Sequence, residues 1–177
     1  LLTVLPLCFC TRMAFGQTIW IAKSMQRVQP DTAPLTTSTT AQIAAAAGCH
    51  VLGIAIDPAR IDLAASLGLQ AVRPDRTVDS ALAFTANRGF DVILICADTS
   101  SNDPVELAGV LARDRARVVA TGAVGLAFPR KIYYEKEISF INSRSYGPGR
   151  YDLNYEEHGN DYPLGYVRWT EGRNFEA

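Results

Sequence analysis

Histidine, methionine and tryptophan are scarce in this chain, with two of each, and its four cysteines form no C-x-x-C pair. His50 and His158 have no partner at zinc-ligand spacing. Cys8 and Cys10 lie in an apolar run, and Cys49 and Cys96 lie in or beside expected strands. The thiols therefore read as buried or idle, and the expected compartment is a reducing cytoplasm. No G-x-S-x-G elbow is present, which removes a serine-hydrolase reading. A basic excess is also missing. The 17 Lys and Arg against 18 Asp and Glu leave a net charge of −1, which argues against a nucleic-acid partner. No acidic block marks a disordered tail. The apolar run Leu1 to Cys10 is too short to span a bilayer, and no basic residue precedes it. It reads as the cut edge of a larger protein, with no membrane partner.

What is present suits one ordinary domain. The chain has 177 residues, 48% hydrophobic and 20% charged, enough to bury a core without disulfides or metals. Residues 16–22, GQTIWIA, read as a turn and a short buried strand. Lys23 to Thr40 is rich in Thr, Pro, Gln and Ser, lacks apolar periodicity and reads as loop or disorder. Ala41 to Gly48 is an alanine-rich helical segment with a glycine stop.

A regular pattern follows. His50 to Ile56 is an apolar, β-branched run suited to a parallel strand buried on both faces. Asp57-Pro58 opens a helix to about Leu67, and Gly68 stops it. Ala71-Val72 is a short strand, Val78 to Asn87 a helix, and Asp91 to Ala97 a strand. Asp103 to Arg113 is a helix capped by Asn102 or Asp103, and Arg117 to Ala120 a strand. Residues 132–145 suggest one more strand. From Tyr146 the chain turns to Tyr, Gly, Asp and Glu and predicts loops until a helix near Asn174. Alternating strands and helices with short connections predict an α/β fold: a doubly wound, mostly parallel sheet with an irregular carboxyl-terminal tail. Ligands in such sheets bind at the carboxyl ends of the strands, which points to Asp57, to Asp98 through Ser101 and to Thr121 through Val124.

AAGCHVLGIAIDPARIDLAASLG resembles the second strand and following helix of zinc-type medium-chain alcohol dehydrogenases. FDVILICADTSSNDPVELAGVLARDRARVVATGAVGL resembles their next strand, helix and strand. The tail SRSYGPGRYDLNYEEHGNDYPLGYVRWTEGRNFEA is similar to a subgroup fused to a glucose–fructose-oxidoreductase-like domain. The resemblance covers about Ala46 to Ala177. It implies a Rossmann-like domain over 41–145, behind a divergent front segment 1–40 and before a tail 146–177 that leads to a missing domain. It implies an NAD or NADP oxidoreductase acting on an alcohol, polyol or sugar-like substrate, with a role in bacterial cell-surface polysaccharide synthesis. The family's catalytic zinc belongs to an amino-terminal domain, whose ligands are not in this chain. Partners are then the nucleotide, the missing domains of the same protein, and a second copy in a homo-oligomer.

Two departures from the family pattern matter. Its G-x-G-x-x-G turn lets bare backbone approach a pyrophosphate at a helix N-terminus. Here TIWIA runs into KSMQRVQPDTAPLTTSTTAQ, which holds two prolines and no glycine. A frame error or rearrangement in the coding sequence is one explanation, a genuine alternative loop the other. Cofactor binding is therefore expected to be weak or lost, and the isolated chain inactive. The second departure is Ala55, which stands where the family has an Asp for the adenosine ribose. Asp57 lies two residues on; it caps the next helix, reaches the ribose, or does both. Arg60 lies near the adenosine end or is an ordinary first-turn arginine.

The implied cofactor-binding residues are Asp57, Arg60, Ala97, Asp98, Thr99, Gly122, Ala123 and Val124. At Asp98 to Ser101 the competing reading is turn and cap chemistry; at Thr121 to Gly125 close approach of a nicotinamide competes with a plain turn. The Gly147-Pro148-Gly149 turn would present Arg144, Tyr146 and Arg150 to substrate or cofactor, or brace a loop against a missing domain. Tyr166, Val167 and Trp169 would pack on a neighbouring domain. His158 with Glu156-Glu157 reads as a solvated loop. Two other functions stay open: a non-catalytic module that has lost its cofactor, and a Rossmann-like domain for another nucleotide or a methyl donor.

Overall fold

The computed structural model describes residues 18–23, 33–143 and 146–176, with side chains from Thr40 onward. They divide after Ser143 into a sheet unit and a tail unit. The sheet unit has six parallel strands in the order β3-β2-β1-β4-β5-β6. They are β1 Thr18–Lys23, β2 His50–Ala55, β3 Gln70–Val72, β4 Phe90–Ile95, β5 Ala112–Ala120 and β6 Ser139–Asn142. The helices are α1 Ala33–Ala46, α2 Pro58–Ser66, α3 Thr77–Phe84, α4 Asp103–Leu111 and α5 Arg130–Glu135. α3, α4 and α5 touch in turn and share one core cluster on one face, while α1 packs on β1 and β2 and α2 on β2 and β3; the right-handed crossovers general to such sheets would put these two on the opposite face. The expected α/β, doubly wound parallel sheet is present.

β4 shows why the sheet forms. Phe90, Ile93 and Ile95 are fully buried on one face with Val105, Ala108 and Val118. Val92 and Leu94 are buried on the opposite face. An apolar run covered on both sides can only be an inner parallel strand. α2 is fixed at both ends by its sequence. Asp57 accepts from the Ala59 amide (3.0 Å) with Pro58 in the first turn. Gly68, at φ +71°, closes the other end; its amide donates to Ala65 O and the Leu69 amide to Ala64 O. Gly48 ends α1 in the same way, as expected.

Four expectations are corrected. The loop expected over Lys23 to Thr40 is helical from Ala33, continuous with the alanine-rich segment, and Pro34 sits in its first turn where no amide donor is needed. Residues 24–32 lie outside the described residues. The helix expected over Val78 to Asn87 begins at Thr77 and stops at Phe84, because Ala86 and Asn87 take positive φ. The helix expected over Asp103 to Arg113, α4, ends at Leu111, and β5 begins at once, at Ala112. The single strand expected over 132–145 is two elements, α5 and then β6. Tyr133 is buried and donates to Val105 O (2.9 Å). Lys136 Nζ donates to the carbonyls of Gly109, Val110 and Ala112. Tyr133 thus ties α5 to the first turn of α4 and Lys136 ties it to the carboxyl end, so Ile132, Tyr133 and Lys136 obey a helical spacing rather than alternation.

The tail unit holds α6 Leu153–Glu156 and α7 Glu171–Glu176, which starts three residues before the helix expected at Asn174. Buried Thr170 sets that start: its carbonyl accepts from the Asn174 amide (2.9 Å). Asn174 Nδ2 then donates to Tyr146 O (2.8 Å), tying the helix to the Gly-Pro-Gly turn. Of the expected apolar patch, Tyr166 is 91% exposed, while Val167 and Trp169 are half-buried. His158 is exposed.

Candidate functional site

The carboxyl edge of the sheet carries two groups of polar and glycine residues, on either side of β1. In this strand order the direction of winding reverses between β1 and β4, and that gap is where a ligand crevice opens. β1 runs into residues 24–32, so the stretch that would meet a diphosphate lies outside the described residues.

The first group follows β2. Ala55 is its last residue and is buried. Asp57 spends Oδ1 on the Ala59 amide, and its Oδ2 lies 3.6 Å from Arg60 Nε, beyond hydrogen-bond reach. The cap reading of Asp57 is thus present in the structure. The Arg60 side chain is only 14% exposed, and its Nε and Nη1 are buried without a hydrogen-bond partner. Buried donors of this kind are rare, because each forfeits its bonds to water.

The second group joins the loops after β4 and β5. The Thr99 amide donates to Ala123 O (2.8 Å), and Thr99 pairs with Val124 in an isolated parallel bridge. The Thr99 hydroxyl accepts from the Ser101 amide (3.2 Å). Gly122 lies against fully buried Ala97: a Cβ built on it would stand 1.9 Å from Ala97 O. Its missing side chain is therefore required by the neighbouring loop of this same chain. Thr121 donates its amide and its hydroxyl to Ile95 O (2.9 and 3.2 Å). Ala97, Asp98, Thr99, Gly122, Ala123 and Val124 thus come together, with Asp98, Ser100 and Ala123 exposed at the surface.

Part of this clasp is illegible in the sequence. Asn102 makes no side-chain cap for α4; its Oδ1 accepts instead from the Ala127 amide (2.9 Å). Ser101 Oγ takes over the cap, accepting from the Asp103 amide. Gly125 is tight against Ser100 O and Ser101 O, and its amide donates to Ser101 O (3.1 Å). A glycine five positions past a strand was the available signal, but its partner lies over twenty residues away.

In the tail unit, Arg150 Nη1 donates to Glu156 Oε1 (2.6 Å), and its guanidinium lies over the rings of Tyr146 (5.1 Å) and Tyr151 (4.7 Å). Tyr146 also packs on Phe175. Asp152 accepts from the Tyr162 hydroxyl, which holds the carboxyl below its usual range. These contacts brace the Gly-Pro-Gly turn internally. Arg144 lies outside the described residues. Among the described residues no three His, Cys, Asp or Glu side chains gather into a metal-holding group. Nor is any described helix long and apolar enough to cross a membrane.

The family model for zinc-binding dehydrogenase matches residues 37–157, well over half of the chain. The chain belongs to the zinc-binding dehydrogenase family. Solved structures with the same fold include the alcohol dehydrogenase TADH from Thermus sp. ATN1. It is 20% identical, with a TM-score of 0.66 over 81% of this chain and 40% of that one. The 2R,3R-butanediol dehydrogenase from Bacillus subtilis is 17% identical, with a TM-score of 0.64 over 81% and 40%. An alcohol dehydrogenase superfamily protein from Novosphingobium aromaticivorans is 19% identical, with a TM-score of 0.62 over 79% and 39%. The chain spans about two fifths of the length of these structures. No curated protein matches it. As a member of this family, the chain carries its nucleotide-domain architecture, and the two groups described above lie after β2 on one side of β1 and after β4 and β5 on the other.

Proposed function

We propose that this chain is the nucleotide-binding part of an NAD(P)-dependent oxidoreductase that acts on an alcohol, polyol or sugar-like substrate. The observation that carries the reading is the strand order β3-β2-β1-β4-β5-β6, with the buried guanidinium of Arg60 on one side of its switch point and the Thr99–Val124 clasp on the other. Arg60, ion-paired to Asp57 and with Nε and Nη1 short of a hydrogen bond, would suit an anionic nucleotide at the end of β2. Asp57 and Arg60 would hold the adenosine end. Ala97 to Thr99 and Gly122 to Val124 would line the side facing the nicotinamide.

The cofactor, when bound, supplies the hydride chemistry. The work of this chain is to bind and orient it and to exclude water with the two clasped loops. The catalytic zinc of the complete protein would polarise the substrate from residues beyond the sheet unit. We assign 41–145 to the nucleotide-binding domain and the tail from Tyr146 to the junction with a glucose–fructose-oxidoreductase-like domain. Its braced turn would present Tyr146 and Arg150, with Arg144, towards substrate or that domain. A homo-oligomer and a cytoplasmic setting complete this reading.

A second reading has its own support. The sequence KSMQRVQPDTAPLTTSTTAQ offers no glycine for a diphosphate. That favours a module that keeps the fold with cofactor binding weakened or lost, and inactive as an isolated chain. Amide chemical-shift mapping with millimolar NADPH separates the two. The first reading expects shifts confined to residues around Asp57, Arg60, Thr99 and Val124. An unchanged spectrum at that edge leaves only the second.

A further inference from the structure

We infer that Tyr133 is a positioning residue for the proposed nucleotide edge, because it ties together the two segments whose seam would face the cofactor. The inference rests on the nucleotide-binding reading above. It concerns a residue that acts through its neighbours.

Tyr133 lies in α5 and is buried. Its hydroxyl donates to Val105 O (2.9 Å) in the first turn of α4, the helix that follows the β4 loop. Its ring meets Phe128, in the loop after β5, with centroids 5.5 Å apart and planes at 73°. Edge-to-face is a favoured geometry for such a pair. The contacts then close into a circuit. The Val105 amide donates to Asn102 O (2.9 Å). Asn102 Oδ1 accepts from the Ala127 amide (2.9 Å), and Ala127 precedes Phe128 in the chain. Gly125 lies against Asn102 Oδ1 with no room for a Cβ, so the β5 loop has little freedom to shift while Asn102 is held. The Gly125 amide on Ser101 O (3.1 Å) and the Thr99 amide on Ala123 O (2.8 Å) continue the same seam towards the nucleotide edge. A phenol bonded to a helix carbonyl fixes the height of α4 against α5; a phenyl ring would fill the same space without fixing it. Lys136 joins the same two helices at the other end of α4, on the carbonyls of Gly109, Val110 and Ala112, and is the matched control.

The test compares the full chain with Tyr133→Phe and Lys136→Met by NMR, first without ligand and then in a titration with NADPH to millimolar concentration. Tyr133→Phe keeps the ring beside Phe128 and removes only the bond to Val105 O. It should move the Thr99 and Gly125 amide signals and weaken NADPH about three- to tenfold. Lys136→Met should leave both amides and the affinity as they are, although it loosens the same helix pair. Equal effects in the two variants would reduce Tyr133 to ordinary packing and overturn the inference. Unmoved Thr99 and Gly125 amides with unchanged affinity in Tyr133→Phe would also overturn it, and would leave the nucleotide reading standing. An NADPH titration that moves no amide at this edge of the unaltered chain would overturn that reading and the inference with it. A second measurement needs no variant. Coupling between two places is reciprocal, so the Tyr133 ring signals of the unaltered chain should move as NADPH binds. Ring signals that stay fixed while Thr99 and Val124 respond would overturn the inference even if Tyr133→Phe failed to fold.

Discussion

Gly122 rests so close to Ala97 that a single carbon added to it would stand 1.9 Å from the Ala97 carbonyl oxygen. That contact fixes how the loops after β4 and β5 lie together, and the Thr99–Ala123 bond and the Thr99–Val124 bridge follow along the same seam. Gly122→Ala should therefore part the loops and cost about 2–4 kcal/mol in chemical denaturation. Gly53→Ala is the matched control. Its added carbon meets Ala71 and Gln70 at 3.5 and 3.6 Å, ordinary contact, and should change stability by less than about 1 kcal/mol. Equal losses in the two variants would contradict the close packing of the loops.

Asp57 separates capping from charge. Asp57→Ala removes the acceptor for the Ala59 amide and should cost about 1 kcal/mol in thermal denaturation. Asp57→Asn keeps an oxygen there and should cost much less. If nucleotide affinity falls in Asp57→Asn while stability holds, the carboxylate has a role beyond the cap.

Tyr133 predicts an alkaline limb in the stability profile. Burial pushes its phenol well above the ordinary tyrosine range. The folded chain therefore holds this proton more tightly than the unfolded chain. The stabilisation is complete below the unfolded pKa of about 10 and is lost as pH rises beyond it. Tyr133→Phe should lose about 1 kcal/mol at neutral pH, for the bond to Val105 O, and show a shallower decline above pH of about 10. Parallel alkaline limbs in the two proteins would refute the assignment.

Lys136 closes the carboxyl end of α4 with one ammonium on three carbonyls. Lys136→Met keeps the stem and removes the donor, leaving partly buried carbonyls unpaired. A loss of about 2 kcal/mol is expected, together with faster amide exchange in α4. An unchanged exchange pattern would show that the ammonium is dispensable.

These residues also show what was legible in the sequence. β4 and α2 could be read because their causes are local: an unbroken Val-Ile-Leu run, an Asp-Pro start and a glycine stop. The split of 132–145 into α5 and β6 could not, because Tyr133 and Lys136 answer to α4, more than twenty residues earlier. Thr-rich composition hid the first two turns of α1, since threonine has a poor helix propensity and only the alanines signalled the helix. At the site, the residues beyond β2, β4 and β5 were placed by the general rule for parallel sheets. The pairing of Gly122 with Ala97 and of Asn102 with Ala127 depends on the fold bringing distant loops together. The Arg60 nitrogens left short of a hydrogen bond required coordinates altogether.

The most direct test is calorimetric titration with NADPH of the full chain and of a version whose link between β1 and α1 carries G-x-G-x-x-G. The account predicts a dissociation constant far weaker than micromolar for the natural chain, and a large gain once bare backbone can meet the diphosphate. Micromolar binding by the unaltered chain, or no gain in the repaired one, would contradict it.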